Sequence, residues 1–258
     1  MENSIGFVGC GRVVSILLGG WARAGVVPGP IVVSDPDPTA VARARTRRPS
    51  LDLEEADAKR AAAQETVFLA VHPPAIKEAA PRIREGLRDD AVLVSLAPKV
   101  TITALSGMLG GFRRIARMIP NAASIVGEGY NPVAFAEALG ADERQRLGRL
   151  FAPWGECPEV PEAHLEAYAI VTAMGPTYFW PQLYELLRLG ESFGLPARQA
   201  MEGIARMLSG AATTMRDSGL SREEVMDLVP VTPLAEMDAE VIERYRVKLT
   251  AVMDKIRP

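Results

Sequence analysis

Cysteine and histidine are nearly absent from this chain, with two of each in 258 residues. Cys10 and Cys157 stand far apart and are too few for a disulfide framework, so a reducing compartment is expected. His72 and His164 form no cluster with cysteine or carboxylate at metal-ligand spacing, which predicts no metal site. No nucleophile–base constellation suited to covalent hydrolysis is visible either. Apolar runs are strand-sized and none reaches the ~18 residues of a membrane helix, so no membrane partner is expected. The N-terminus runs straight into an apolar segment, without a basic stretch followed by an apolar core. No secretion signal is expected, and the expected location is cytoplasmic. Positive charge is not in excess: the formal net charge is −3, so nothing favours nucleic acid as a partner. Internal repeats and low-complexity segments are also missing. What remains is an ordinary globular composition, 48% apolar and 24% charged, long enough for one large domain or two smaller ones.

The most informative stretch is Ile5-Gly6-Phe7-Val8-Gly9-Cys10-Gly11-Arg12-Val13-Val14. A short apolar run breaks into Gly-x-Gly and then enters a helical pattern. A buried strand, a tight glycine turn and a helix N-terminus together make a site for a dinucleotide pyrophosphate. Gly9 permits the turn, and Gly11 lets phosphate approach the backbone at Cys10, Arg12 and Val13. The third glycine position of the fingerprint holds Val14, so strand and helix must pack around a larger side chain.

Further strands and helices alternate behind this unit. Residues 11–24 read as a helix with Val14, Leu17, Leu18 and Trp21 on one face. Ile31–Ser34 reads as a strand ended by Asp35-Pro36-Asp37-Pro38, and residues 38–47 as an arginine-rich helix. Residues 54–64 read as an alanine-rich helical segment, and Val67–Val71 as a buried strand stopped by His72-Pro73-Pro74. A helix over 74–87, a strand over Ala91–Ser95 and an apolar stretch Arg114–Ile119 follow. Such alternation implies a parallel sheet with right-handed crossovers. Near Pro158–Pro161 the character changes, and only helical periodicity continues. Phe179, Leu183, Leu186, Leu187 and Phe193 share one face, Met201, Ile204, Leu208 and Met215 another, and Val241 to Ile256 carry a wide apolar stripe. The expected fold is therefore α/β: a Rossmann dinucleotide-binding domain over 1–158 and an all-α dimerisation domain over 159–258. These helices could pack on each other, but the helical part is expected to complete its core in a homodimer or higher homo-oligomer.

With these pieces in order, the chain resembles the pyrroline-5-carboxylate reductase family. The matching segments are Ile5–Val14, Val67–Pro74, Leu93–Ala97, Met118–Ala122 followed by Val126–Gly129, Val171–Phe179 and Gly194–Ala200. The resemblance implies a Rossmann domain, a helical dimerisation domain, NADP or NAD as cofactor and a C=N bond as the group reduced. Three departures accompany it. Where the family carries a Ser-Pro-Gly-Gly-Thr-Thr loop for the substrate, this chain has Pro230-Val-Thr-Pro-Leu-Ala-Glu236. The family's Ser-Gly-Ser-Gly-Pro turn is shortened to Met174-Gly175-Pro176, and its Ala-Gly-Val after the fifth strand is Pro98-Lys99-Val100.

The expected cofactor contacts are Gly9, Cys10, Gly11, Arg12 and Val13 in the turn, Ser34 and Asp35 after the second strand, Ala70, Val71, His72 and Pro73, and Leu96 and Ala97. Asp35 stands where an acidic residue accepts the adenosine ribose hydroxyls; it leans towards NAD, while Arg12 or Arg43 could offset repulsion of a 2′-phosphate, which leaves the choice of cofactor open. As a turn-capping residue before proline it needs no cofactor at all. His72 reads as a wall residue beside the nicotinamide ribose. Hydride transfer needs position and a donor for the developing charge, and Lys99, Asn121, Thr172 and Tyr178 are the catalytic candidates. Each also has an ordinary structural role open to it: solvated loop, turn cap, back-bonding in a helix, core packing. Met174, Gly175 and Glu236 are the candidate substrate contacts, and Glu236 would suit a cationic substrate. The reading is an NAD(P)H-dependent oxidoreductase acting on a small-molecule imine. Its alternatives are a dehydrogenase acting on a C–OH or C=O group, with a carbonyl substrate, or a dinucleotide-binding sensor without turnover.

Overall fold

The computed structural model describes residues 4–25 and 29–258. β1 (Ile5–Val8) leads through the glycine turn into α1 (Arg12–Ala24), which ends at Gly25 in a left-handed conformation. β2 (Ile31–Ser34) is followed by α2 (Pro38–Arg47), where Asp37 caps the Thr39 N–H at 2.9 Å and Pro38 pre-sets the first helical residue. Next come β3 (Leu53–Glu55), α3 (Ala58–Ala62), β4 (Thr66–Leu69) and α4 (Pro73–Gly86). β5 (Val92–Ser95), α5 (Ile102–Met108) and β6 (Ile115–Met118) complete the alternation. Two short strands, β7 (Gly129–Tyr130) and β8 (Val133–Phe135), precede α6 (Ala141–Phe151), β9 (Gly155–Glu156) and α7 (Leu165–Tyr168).

The main sheet has the order β3-β2-β1-β4-β5-β6-β8. All its pairs are parallel except β6–β8, where Arg117 faces Ala134 in antiparallel register. Two expectations are corrected here. The sheet is not wholly parallel, because β8 closes its edge antiparallel. The segment 54–64 is not one helix: Leu53–Glu55 pairs with β2, and only Ala58–Ala62 is helical. An edge strand needs hydrogen bonds on one side only, which lets two exposed glutamates sit in β3.

Side chains alternate across the sheet and build two cores. Ile5, Phe7, Phe68, Val92 and Val94 face one layer with Leu17, Trp21, Phe151 and Trp154. Val8, Val67, Leu69 and Leu93 face the other, against Ile76, Ile83 and Leu105. The first layer holds an aromatic cluster in which Phe7 and Phe68 stack at 4.8 Å and Trp21 lies 4.8 Å from Trp154. Both indoles are fully buried and both are satisfied: Trp21 Nε1 donates to the Leu150 carbonyl at 3.0 Å, and Trp154 Nε1 to that of Leu17 at 2.9 Å. Each large apolar side chain so buried contributes about 2–3 kcal/mol. This layer ties α1 and α6 to the sheet and fixes the helix that follows the glycine turn.

The chain divides into two compact units. One comprises the residues up to Met174 together with Val252–Pro258, and the other is Gly175–Ala251. Residues 159–174 pack within the first unit, where Leu165 and Ala169 join Ile119 and Ala134. The second unit contains α8 (Pro176–Ser192), α9 (Ala197–Asp217), α10 (Arg222–Asp227) and most of α11 (Asp238–Ile256). Apart from Gly175 and Ala200, no residue of this unit is buried.

Candidate active site

Strand register builds the site. Val8 lies level with Ser34 in β2 and with Leu69 in β4, and Leu69 lies level with Ser95 in β5. The residues that leave these strands, Gly9, Asp35, Ala70 and Leu96, therefore emerge along one carboxyl edge. Main-chain bonds continue the ladder there: Gly9 N–H donates to Ser34 at 2.7 Å, Ala70 N–H to Val8 at 2.8 Å, and Leu96 N–H to Leu69 at 3.0 Å. In an open α/β sheet this edge is where ligands bind.

Gly9 has φ +101°, and a Cβ there would lie 2.6 Å from the Ala70 carbonyl oxygen, so only glycine fits. Gly11 caps the start of α1, and a Cβ there would meet nothing within 4 Å, so its face is open to a ligand. Arg12 is exposed beside it, and Cys10 is buried within the turn. Burial pushes the Cys10 thiol up to about 11, with the Asp35 carboxylate adding to the rise and Arg43 opposing it. Asp35 is the structural partner of the turn. One carboxylate oxygen accepts the Cys10 N–H at 2.5 Å and the other accepts the Asp37 N–H at 2.8 Å. Asp37 is held down to about 2, chiefly by the Thr39 hydroxyl and N–H and then by Arg43.

A hollow lies on each side of the turn. One, of about 670 Å³, is lined by Gly9, Ser34, Asp35 and Pro36 and walled by Val71, Ala75 and Ala79. The other, of about 570 Å³, is lined by Cys10, Gly11, Arg12, Ser15, Arg43, Arg47 and the exposed His72. The expected contacts Gly9 to Val13, Ser34, Asp35, Ala70 to Pro73, Leu96 and Ala97 thus belong to one edge. Ser15, Arg47, Ala75 and Ala79 were not singled out from sequence. Their signal is helical spacing: Ser15 lies one turn after Gly11, and Arg43 and Arg47 lie four apart.

Of the four donor candidates, Lys99, Asn121 and Thr172 lie in the first unit and Tyr178 in the second. Asn121 is buried, and both ends of its amide are engaged: Nδ2 donates to the Thr172 carbonyl at 2.7 Å, while Oδ1 accepts the Ala123 N–H at 2.8 Å. Its own N–H donates at 2.7 Å to Asn131, a buried residue that sequence reading missed. The Thr172 hydroxyl bonds back to the Tyr168 carbonyl at 2.7 Å. Thr172 lies in a single π-turn, Ala169–Ala173, closed by Met174 N–H to the Ala169 carbonyl at 2.9 Å. Tyr178 belongs to the second unit and packs edge-to-face on Tyr245 at 5.6 Å; burial and Tyr245 push its hydroxyl up. Of the substrate candidates, Met174 and Gly175 directly follow the π-turn, and Glu236 is exposed in a short 3-10 turn, Ala235–Met237.

Lys99 is exposed on the loop after β5 and has φ +73°, a left-handed conformation that favours glycine. Its N–H donates to Glu166 at 3.0 Å, and its ammonium to the Lys255 carbonyl at 3.2 Å. Glu166 and Glu162 both bind Arg117 of β6, at 2.6 and 2.8 Å, and Glu162 also accepts the Ile102 N–H at 2.7 Å. Arg117 and Glu166 are fully buried. This clamp fixes the 99–102 loop beside the sheet edge. Its sequence signal was an arginine inside the apolar stretch 114–119, which must find a countercharge when the strand is buried.

A family profile described as "NADP oxidoreductase coenzyme F420-dependent" matches residues 4–99. The pyrroline-5-carboxylate reductase of Escherichia coli is 28% identical over 232 residues, covering 89% of this chain and 85% of that protein. Human pyrroline-5-carboxylate reductase 2 is 28% identical over 219 residues, covering 83% of this chain and 68% of that protein. Among solved structures, the pyrroline carboxylate reductase of Plasmodium falciparum with NADP bound superposes with a TM-score of 0.80 at 19% identity, covering 99% of this chain and 98% of that one. That likeness bears out the expected fold, a Rossmann-like α/β part followed by helices.

Proposed function

We propose that this chain, a divergent relative of the pyrroline-5-carboxylate reductases, is an NAD(P)H-dependent oxidoreductase that reduces a C=N bond in a small molecule. The observation that carries the reading is the convergence of the Gly9–Gly11 turn with the ends of β2, β4 and β5 on one sheet edge. The residues present suit a dinucleotide. The open face at Gly11 and the α1 N-terminus suit a pyrophosphate, and the Pro36, Ala75 and Ala79 wall suits an adenine. Ala70 to Pro73, Leu96 and Ala97 would border the nicotinamide ribose. When bound, the cofactor supplies a hydride. The chain's own task is to orient the acceptor and neutralise charge on its nitrogen.

Of the four donor candidates, the reading favours Lys99. It follows Ala97 by two residues at the sheet edge, and its ammonium has donors beyond the one given to Lys255. Asn121 and Thr172 would act by positioning the main chain, since their side chains are engaged within the fold. Glu236, Met174 and Gly175 would meet the substrate, with Glu236 favouring a cationic group. Residues 1–158 would hold the cofactor, and 159–258 would make a homodimer or higher homo-oligomer. Phe179, Trp180, Phe193, Met207 and Met215 of the second unit are all exposed, and a unit without a core cannot offset its chain entropy alone. Two free thiols fit the cytoplasm.

The test is consumption of NADH and NADPH with a panel of cyclic imines and keto acids. Turnover of imines alone is expected. Turnover of keto acids alone would transfer the reading to a dehydrogenase, and tight nucleotide binding without any turnover to a sensor. Light scattering after size-exclusion chromatography should give a dimer or larger; a clean monomer refutes the shared-helix assignment.

A further inference from the structure

We propose that the site selects NADH over NADPH and that Asp35 is the selecting residue; the inference rests on the dinucleotide reading above. Asp35 leaves β2 at the edge shared with the glycine turn. Its two oxygens are pinned by separate main-chain donors, Cys10 N–H at 2.5 Å and Asp37 N–H at 2.8 Å. Each oxygen retains accepting capacity, so the carboxylate is a fixed, pre-oriented acceptor for hydroxyl groups.

A ribose diol donates hydrogen bonds to such a group. A 2′-phosphate offers mainly acceptors and brings up to two negative charges. The rest of the hollow reinforces the discrimination, because Asp57 and Glu78 also line it against a single arginine, Arg82. The α2 arginine that could answer a phosphate near this loop is Arg43. It is already paired with Asp37 at 2.8 Å and bonded to the Thr39 hydroxyl. Arg12, Arg47 and Arg43 itself line the hollow on the other side of the turn, beside Gly11, where they would serve the pyrophosphate. The basic residues thus stand by the phosphates common to both cofactors, and the acidic ones stand where the two cofactors differ.

The experiment is calorimetric titration of the full chain with NAD⁺ and NADP⁺ at fixed ionic strength, for the wild type and for Asp35→Asn. Asparagine keeps an oxygen for the Cys10 N–H and removes the charge. The wild type should bind NAD⁺ on the order of 30-fold more tightly than NADP⁺. Asp35→Asn should shrink that ratio about tenfold, mainly through tighter NADP⁺ binding, with its circular dichroism unchanged. Equal or tighter binding of NADP⁺ by the wild type overturns the inference and leaves the dinucleotide site standing. An unchanged ratio in a folded Asp35→Asn overturns the role of Asp35. Should that variant not fold, the wild-type ratio alone decides. If neither nucleotide binds, the dinucleotide reading falls, and the inference with it.

Discussion

Replacing Arg117 with methionine should destabilise the protein far more than an ordinary strand substitution. The guanidinium is 1% exposed, with Glu166 at 2.6 Å and Glu162 at 2.8 Å, and Glu166 itself is 2% exposed. Methionine fills most of the volume, so the cost is not a cavity. It is a carboxylate left in a low-dielectric interior with one remaining partner, the Lys99 N–H. Breaking a buried pair in this way costs about 3–5 kcal/mol, a large share of the ~5–15 kcal/mol that holds a domain. The Arg117 Nε has no partner even in the intact clamp, so the arginine is not fully satisfied. The double variant Arg117→Met with Glu166→Leu should therefore recover most of the loss, leaving a coupling of about 2 kcal/mol or more. Urea unfolding of both single variants and the double variant measures this directly, provided the slopes agree. A cost below about 1 kcal/mol for Arg117→Met, or simple additivity in the double variant, would refute the reasoning.

Two further outcomes follow from the same neighbourhoods. Lys99→Gly should stabilise the fold by about 0.5–1 kcal/mol in thermal unfolding, because release of the left-handed strain at φ +73° exceeds the added freedom of glycine in the unfolded chain. A loss of stability would mean that the ammonium contact to Lys255 outweighs the strain. Cys10 and Cys157, both pushed by burial from 9.0 to about 11, should resist alkylation in the native protein at pH 8, where roughly one thiol in a thousand is ionised. Since the native state holds these protons more tightly than the unfolded chain, their contribution to stability is complete below 9.0 and is lost as pH climbs through about 11. Prompt labelling of either thiol at pH 8, read by mass spectrometry, would contradict the burial assigned to it.

The order in which sequence could be read follows the range of the interactions involved. The β1–turn–α1 unit was legible because its apolar run, its glycines and the Val14, Leu17, Leu18, Trp21 stripe are all local signals. α2 was legible from Asp37-Pro38, a cap and a first-turn proline in adjacent positions. β3 was hidden because three residues carry no periodicity and two of them, Glu54 and Glu55, are exposed. β8 was hidden because it too is only three residues long, although Val133 and Ala134 are buried, and its antiparallel register is set by pairing with β6. At the site, the edge residues could be named because strand ends are local, and a parallel sheet aligns them. The clamp could not, since Arg117 finds its carboxylates 45 and 49 residues away. Asn121 was found, but the amide network with Asn131 and Thr172 that occupies it was not visible in any local pattern.

Transfer of a labelled hydride tests the central claim most directly. NADH carrying deuterium at the transferable C4 position should deliver one deuterium to the former imine carbon of a cyclic imine, read by mass spectrometry of the amine product. Gly9→Val, which places a branched side chain against the Ala70 carbonyl at φ +101°, should abolish that incorporation together with nucleotide binding. Saturating nucleotide binding with no deuterium in any imine product, or undiminished incorporation by Gly9→Val, would contradict the proposed reductase.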